Sequence, residues 1–199
     1  MSALAAGFAE PVFDSQNAFR RMMEALATPG RVRALDHLLP TDCPLPVAPA
    51  ALLLALCDFE TPLWLAPSLA ARDGVADFLR FHTGAPLARD GSQAAFALLD
   101  LAADHFDPSH FAQGTPEYPD RSTTIIAICA SVTDGQPLTL QGPGIAGAAT
   151  LNITPLPQDF VSRWRQAQLA FPLGVDVVFA SPSAIVGLPR TTRITGEAG

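Results

Sequence analysis

The feature that most constrains the fold of this chain is an uncharged run, TTIIAICASV, at residues 123–132. β-branched residues are enriched in strands, and a strand without charge along its length suits the interior of a sheet. Other short apolar segments of strand length occur along the chain, and stretches with helical periodicity separate them. Alternating helices and apolar strands are typical of layered proteins, so we predict an α/β fold around a mixed sheet.

Four segments show the spacing or the composition of helices. The first, at residues 14–30, is predicted to begin at a cap, Asp14 or Ser15, and to end at Pro29 and Gly30. Its apolar face is predicted to contain Phe19, Met22, Met23 and Leu26. The other three are PAALLLALCD at residues 49–58, SLAARDGVADFLRF at 68–81 with Gly74 as a weak position, and PQDFVSRWRQAQLAF at 157–171 with Asp159 near its start.

Further strands are predicted on both sides of the uncharged run. They are TPLWLAP at residues 61–67, AAFALLDL at 94–101, PLTLQGPGI at 137–145, VDVVFAS at 175–181 and AIVGLPRTTRIT at 184–195. Residues 107–122 are predicted to form an exposed loop with one helical turn. A chain of 199 residues suits one domain, so we expect a single α/β domain over residues 1–199 with flexible ends at 1–10 and 195–199.

The charge balance excludes several classes of function. The net charge is −7, whereas proteins that bind nucleic acid carry basic stripes or patches, so we expect no nucleic-acid partner. All twelve positive residues are arginine, and the chain contains no lysine. It therefore cannot form a Schiff base with pyridoxal phosphate or supply the lysine of a P-loop. A bound anion would be held by arginine, hydroxyl groups, histidine or backbone N–H groups.

The cysteines and histidines show no metal-binding spacing. The three cysteines fit free thiols in a reducing compartment and are Cys43, Cys57 and Cys129. The four histidines stand in different contexts and are His37, His82, His105 and His110. We expect no metal ion and no cofactor. The N-terminus is unlike a secretory signal, and the uncharged apolar run between Asp42 and Asp58 is too short and too rich in proline to cross a bilayer. We therefore expect a cytoplasmic protein without a membrane partner.

The motif GPGIAG at residues 142–147 matches the glycine pattern of a dinucleotide-binding loop. Such a loop must open a helix whose N–H groups face a pyrophosphate. The sequence that follows, AATLNITP, is rich in β-branched residues and soon reaches Pro155. We therefore interpret Gly142 and Gly144 as a turn that ends a strand.

The segment LRFHTGAP at residues 79–86 brings a charge, an imidazole and a hydroxyl group together at a helix end. Arg80 and His82 would stabilise the negative end of the helix dipole, and Gly84 would be the left-handed residue that ends the helix. The alternative is that Arg80, His82 and Thr83 face a cleft and bind a phosphate or a carboxylate of a partner.

A second segment, PRTTRI at residues 189–194, combines arginine and hydroxyl groups near the end of the chain. Arg190, Thr191 and Thr192 are either part of an anion-binding site or the solvated edge of a sheet, where charge discourages the addition of another strand.

Five segments in order resemble the PhnH family, a subunit of the bacterial carbon–phosphorus lyase complex. They are NAFRRMMEALATPG, LRFHTGAP, LTLQGPGI, FPLGVDVVF and LPRTTRI, and the resemblance extends from about Pro11 to Thr195. It implies a three-layer α/β/α fold with a mixed sheet, similar to the large domain of pyridoxal-phosphate-dependent transferases but without that cofactor. The missing lysine is consistent with this expectation.

The resemblance also implies a role in phosphonate utilisation. Family members act with other carbon–phosphorus lyase subunits at the step that couples methylphosphonate to the ribose triphosphate of ATP, and they form homodimers in isolation. No catalytic residue follows from it, but the recurring segments contain the candidates for binding a partner, a phosphonate or an ATP-derived ligand. These are Arg80, His82, Thr83, Gly84, Gly142, Gly144, Arg190, Thr191 and Thr192.

Three alternatives remain open from the sequence. The helix at residues 14–30 is a second candidate for the partner surface, because methionine and arginine are enriched at interfaces. The chain could also be an independent small α/β enzyme acting on a phosphorylated or phosphonate substrate. The third alternative is a plain anion-binding module.

Overall fold

The computed structural model of the chain describes residues 5–36, 38–40 and 42–197. The α-helices are α1 (Pro11–Ala27), α2 (Val47–Leu56), α3 (Pro67–Ala70), α4 (Val75–Thr83) and α5 (Phe160–Gln168). The strands are β1 (Arg33–Ala34), β2 (Leu63–Leu65), β3 (Phe96–Asp100), β4 (Thr124–Ile128), β5 (Leu138–Gln141), β6 (Ala149–Leu151), β7 (Asp176–Ala180), β8 (Ala184–Leu188) and β9 (Arg193–Glu197). Short 3-10 helices lie at Gly91–Gln93 and Pro108–His110.

A mixed six-stranded sheet, in the order β1-β8-β7-β4-β3-β2, forms the centre of the fold. Strands β2, β3, β4 and β7 are parallel, whereas β8 and β1 run antiparallel to their neighbours. The uncharged run provides β4, in which Ile126 pairs with Leu98 on one side and Val178 on the other. The predicted α/β class, the mixed sheet and the interior position of this run are confirmed.

The strands at the two edges of the main sheet are short. Strand β1 has two residues and β2 has three, whereas β3, β4 and β7 have five each. The outer side of β2 is covered by the chain at residues 86–88, where Leu87 forms a bridge with Leu63.

One face of the main sheet is covered by α1, α2 and α4. Met22 of α1, Leu52 of α2 and Phe78 of α4 are buried in the same cluster as Ile126 and Val178. Helix α2 is apolar around its whole circumference, which suits its position between α1, α4 and the sheet.

The opposite face is covered by α5 and by a small antiparallel sheet in the order β6-β5-β9. Phe160 and Trp164 of α5 lie in one cluster with Phe179 of β7 and with Leu138 and Leu140 of β5. Three layers are therefore present, but the third combines a helix with a sheet, whereas the expected α/β/α arrangement has helices alone. Helix α5 has only nine residues and covers part of this face.

Helix α1 differs from its prediction at its start and in its buried face. It begins at Pro11, which suits a first helical position, and the N–H of Glu10 donates to the Asp14 carboxylate over 2.9 Å. Asp14 is therefore one turn inside the helix and does not cap it. Met22 is buried as predicted, whereas Phe19 is half exposed.

Two other predicted elements are divided in the structure. The helix predicted at residues 68–81 is split into α3 and α4 at Gly74, which has a positive φ of 79°. The strand predicted at 184–195 is split at Pro189, where the N–H of Thr192 donates to the Pro189 carbonyl over 2.8 Å and closes a turn. Strands β8 and β9 consequently belong to different sheets.

Candidate anion-binding groove

The segment LRFHTGAP ends α4 as a helix terminus made of local hydrogen bonds. Gly84 has a φ of 71°, and its N–H donates to the Arg80 carbonyl over 2.9 Å. The Thr83 hydroxyl donates to the Leu79 carbonyl over 2.7 Å and accepts the N–H of Ala85 over 3.0 Å. The predicted role of Gly84 as a left-handed cap is confirmed.

The charged and aromatic residues of the same segment have different surroundings. His82 Nε2 lies 2.9 Å from the Ala5 carbonyl, and its ring centroid lies 4.6 Å from that of Phe78. A Cβ on Gly7 would lie 2.9 Å from His82 Nδ1, so the chain before α1 passes directly over the imidazole. Arg80 is exposed and forms no hydrogen bond or ion pair with any residue that the structure describes. The His82 imidazole thus packs against Phe78 and the chain before α1, and the Thr83 hydroxyl is used in local hydrogen bonds. Of the side chains that the sequence predicted to bind a ligand in this segment, Arg80 is the one that is free.

The GPG turn and the PRTT segment, far apart in the sequence, are in contact. A Cβ on Gly142, whose φ is 152°, would lie 2.9 Å from the Thr191 carbonyl oxygen. A Cβ on Gly144 would lie only 2.1 Å from the carbonyl oxygen of Ala27 at the end of α1. Strand β6 follows the turn, so these glycines permit close backbone packing and do not open a helix. The interpretation of GPGIAG as a turn is confirmed.

Arg190 is held by partners within the fold. Its guanidinium donates to the Asp176 carboxylate, to the Pro119 carbonyl over 2.7 Å and to the Ser122 hydroxyl. Its backbone N–H also donates to Asp176 over 2.8 Å. These bonds connect β7, the turn after β8 and the loop before β4. That loop was predicted to be exposed, but Ser122 at its end is buried.

Thr192 is completely buried, and its hydroxyl has no hydrogen-bond partner among the described residues. Its carbonyl accepts the indole N–H of Trp164 over 3.0 Å and the amide of Gln168 over 2.6 Å. Two contacts therefore fix the PRTT turn. Trp164 and Gln168 of α5 bind its backbone, and Asp176 of β7 binds Arg190. Of the three predicted residues, only Thr191 and part of Arg190 reach a cavity.

That cavity is a groove of about 630 Å³ between the C-terminal end of α5, the turn at residues 189–192 and β9. One part of its lining is polar and comprises Arg165, Gln168, Arg190, Thr191, Arg193 and Thr195. The other part is apolar and comprises Pro143, Leu169, Phe171 and Ile194. The volume lies in the range of about 300–1,000 Å³ that is usual for small-molecule sites.

The groove is positively charged although the chain as a whole is acidic. Three arginines line it, and no aspartate or glutamate appears in its lining within the described residues. The charge of Arg190 is compensated by Asp176. Arg165 donates through Nε to the Ile194 carbonyl over 3.1 Å, and Arg193 is exposed without a hydrogen bond or ion pair to the described residues. Arg165 and Arg193 are therefore the charges available to a bound anion.

The sequence prediction missed Arg165 and Arg193 as site residues. Arg193 stands inside the quoted segment PRTTRI, and alternate residues of a strand share one face, so Arg193 and Thr195 could have been grouped with Thr191. Arg165 gave no such signal, because the contact of α5 with β9 joins positions 29 residues apart.

The structure places the two predicted segments on opposite faces of the main sheet. Arg80 and His82 belong to α4, which packs against α2 and α3 and lies on the same face of the sheet as α1. The groove lies in the layer of α5 and the small sheet. They therefore cannot form one site within a single copy of the chain.

The described residues contain neither a metal-binding cluster nor a membrane-spanning helix. In the part of the chain that the structure describes, no group of three or more histidine, cysteine, aspartate or glutamate side chains is arranged to hold a metal ion. His37 lies outside the described residues. Nor does any helix in this part have both the length and the apolar character needed to span a bilayer.

Comparisons with known proteins cover nearly the whole chain. The model of the family described as bacterial phosphonate metabolism protein (PhnH) matches residues 6–195. The chain is 37% identical over 190 residues to the alpha-D-ribose 1-methylphosphonate 5-triphosphate synthase subunit PhnH of Rhizobium meliloti, covering 96% of this chain and 94% of the relative. It is also 30% identical over 187 residues to HtxG of Stutzerimonas stutzeri, provisionally described as a C-P lyase subunit, covering 90% of this chain and 85% of the relative.

Proposed function

The chain belongs to the PhnH family of bacterial phosphonate metabolism proteins, and on this basis we propose that it is required, with partner subunits, to couple methylphosphonate to the ribose triphosphate of ATP. The observation that carries the proposal is the 37% identity over 96% of the chain to a named subunit of such a synthase. We place the protein in the cytoplasm, where ATP is available, and expect it to form a homodimer when isolated.

The geometry of the chain is consistent with a subunit that supplies part of a larger site. Its groove offers free arginines, but no carboxylate or histidine appears in the lining within the described residues to act as a general base. The proposed subunit thus contributes binding, whereas proton transfer would come from other chains.

The exposed apolar residues of α1 are the surface that we assign to a partner subunit. Val12, Phe13, Phe19 and Met23 are 65%, 70%, 50% and 49% exposed, and we call them the α1 stripe. Val12, Phe19 and Met23 are spaced by seven and four residues, so they lie along one side of the helix. The opposite side of α1 is buried against β8. A helix that is apolar on two sides suits a protein that another chain covers.

Growth of a deletion strain tests the proposed function. In the bacterium that encodes this chain, deletion should abolish growth on methylphosphonate as the sole phosphorus source and leave growth on inorganic phosphate unchanged. Reintroduction of the chain should restore growth. Unimpaired growth of the deletion strain on methylphosphonate would contradict the proposal.

A reconstitution separates the subunit from the independent enzyme. With the cognate subunits, ATP and methylphosphonate, adenine release should depend on the presence of this chain. Turnover of the same substrates by the purified chain alone would instead support the independent enzyme.

A capture experiment tests the α1 stripe. The double variant Phe19→Ser, Met23→Ser should capture less of the cognate subunits than the wild type, whereas Phe59→Ser, which changes an even more exposed aromatic residue outside α1, should not. Loss of self-association with full capture of the other subunits would assign the stripe to the homodimer.

A further inference from the structure

We propose that the groove between α5 and β9 binds an organic polyphosphate, with the phosphates at Arg165 and Arg193 and the uncharged end of the ligand at Leu169 and Phe171. The choice of a polyphosphate over other anions rests on the proposed function. The site itself rests on the distribution of charge and apolar surface in the groove.

The first argument concerns arginines without partners. Arg165 uses only Nε within the fold, so its terminal N–H groups remain free, and Arg193 on the facing strand uses none of its donors in the described structure. The end of a helix favours a cation in its last turn, which accounts for Arg165 but not for Arg193. Two guanidinium groups beside one cavity repel each other unless an anion lies between them. Planar guanidinium groups match the oxygens of phosphate in a bidentate manner.

The second argument concerns the apolar end of the groove. Leu169 and Phe171 are 78% and 59% exposed, although both follow a helix whose own aromatic residues, Phe160 and Trp164, are buried. Free phosphate or triphosphate would leave these side chains in water. A ligand that also carries a planar or apolar group would cover them and gain the corresponding hydrophobic contribution.

The third argument concerns the rigidity of the polar floor. Gln168 donates to the carbonyls of Arg190 and Thr192, and Arg190 is bound to Asp176, Pro119 and Ser122. Thr191 therefore stands on a turn that is fixed on two sides. A preorganised floor lowers the conformational entropy that ligand binding would otherwise cost.

Calorimetry with the full chain tests this proposal, using ATP, inorganic tripolyphosphate and adenosine as probes. ATP should bind more tightly than tripolyphosphate, and adenosine should bind weakest.

Arg193→Ala should weaken the binding of ATP and of tripolyphosphate by about tenfold or more. Phe171→Ser should weaken ATP binding and leave tripolyphosphate binding unchanged. Arg89→Ala, which removes an exposed arginine elsewhere, should leave all three affinities unchanged.

Two results would overturn the proposal. One is the absence of ATP and tripolyphosphate binding at millimolar concentration by a chain that is folded in a thermal unfolding control. The other is an equal loss of affinity in Arg193→Ala and Arg89→Ala, which would show that overall charge and not the groove attracts the probes.

The growth assay keeps the two proposals separate. If the wild-type chain restores growth on methylphosphonate but no probe binds the groove, the function stands and the groove proposal fails. If the wild type does not restore growth but ATP binds and Arg193→Ala weakens it, the groove proposal stands and the function fails.

Discussion

At the scale of single residues, the arginines of this chain serve two different purposes. Arg190 has a side chain that is 16% exposed and bonds to a carboxylate, a carbonyl and a hydroxyl group. Arg193, three positions later, is exposed and has no such bonds with the described residues. The sequence marked PRTTRI as unusual but could not separate the two, because the partners of Arg190 lie 14 and 68 positions away at Asp176 and Ser122.

This difference predicts unequal effects on stability. Arg190→Ala should lower the free energy of unfolding by about 2–4 kcal/mol, because it removes the guanidinium from the partly buried Asp176 carboxylate and leaves that carboxylate with the backbone N–H of position 190 as its remaining partner among the described residues. Arg193→Ala should change it by less than about 0.5 kcal/mol. Urea denaturation at neutral pH measures both. Equal effects of the two substitutions would contradict the assignment of Arg190 to the fold and of Arg193 to the ligand.

At the scale of elements, the close approach of α1 to β8 decides which face of the helix is buried. Ala18, Met22 and Ala25 face the sheet, and Gly187 of β8 lies beneath Ala25. From periodicity alone, Met22 and Met23 were both predicted on the apolar face. Neighbouring helical residues are about 100° apart around the axis, so only one of the two can lie at the centre of the contact between α1 and the sheet. The small side chains of Ala18 and Ala25 were the signal for a close contact with the sheet.

Gly187→Ala tests that contact. A Cβ there would lie 2.5 Å from the Ala25 carbonyl oxygen, so α1 would have to move, and we expect a loss of about 1–3 kcal/mol in the free energy of unfolding. Gly196→Ala is the matched control, because Gly196 is also on a strand and a Cβ there has no neighbour within 4 Å. Circular dichroism during urea denaturation reports both. A neutral effect of Gly187→Ala would show that the helix can shift without cost.

The elements that the sequence predicted best are those whose burial is nearly complete. The interior strands β3, β4 and β7 were found because apolar runs with no charge, or with one aspartate at an end, have few other stable environments. The small sheet was not predicted, for two reasons. Strand β6 is short and partly exposed, so its sequence carries little strand signal. The turn between β8 and β9 is marked in the sequence by a single proline, Pro189, so the two strands were predicted as one. The groove, which depends on that turn, was predicted only in part for the same reason.

At the scale of the whole molecule, two hydrophobic clusters lie on opposite faces of one sheet. Cys57 belongs to the first cluster and Cys129 to the second. Burial raises the pKa of each thiol from its ordinary value of 9.0 to about 12. Because the thiolate is the reactive form, both cysteines should be almost inert in the folded protein.

Thiol labelling across a urea series tests whether the clusters unfold together. Because β3, β4 and β7 contribute side chains to both clusters, we expect Cys57 and Cys129 to become reactive over the same range of urea. Mass spectrometry resolves the two sites, and a Cys43→Ser variant removes the half-buried third thiol. Reactivity of one site about 1 M urea before the other would show that the clusters unfold separately.

The short edges of the main sheet limit how this protein can associate with itself. An edge strand of two residues, and another of three that is covered by residues 86–88, expose too little backbone to template a further strand. The main sheet should therefore resist amyloid-like growth even in concentrated solution. If the isolated chain is prone to precipitation, polar substitutions on α1 should improve its solubility more than changes at the edges of the main sheet.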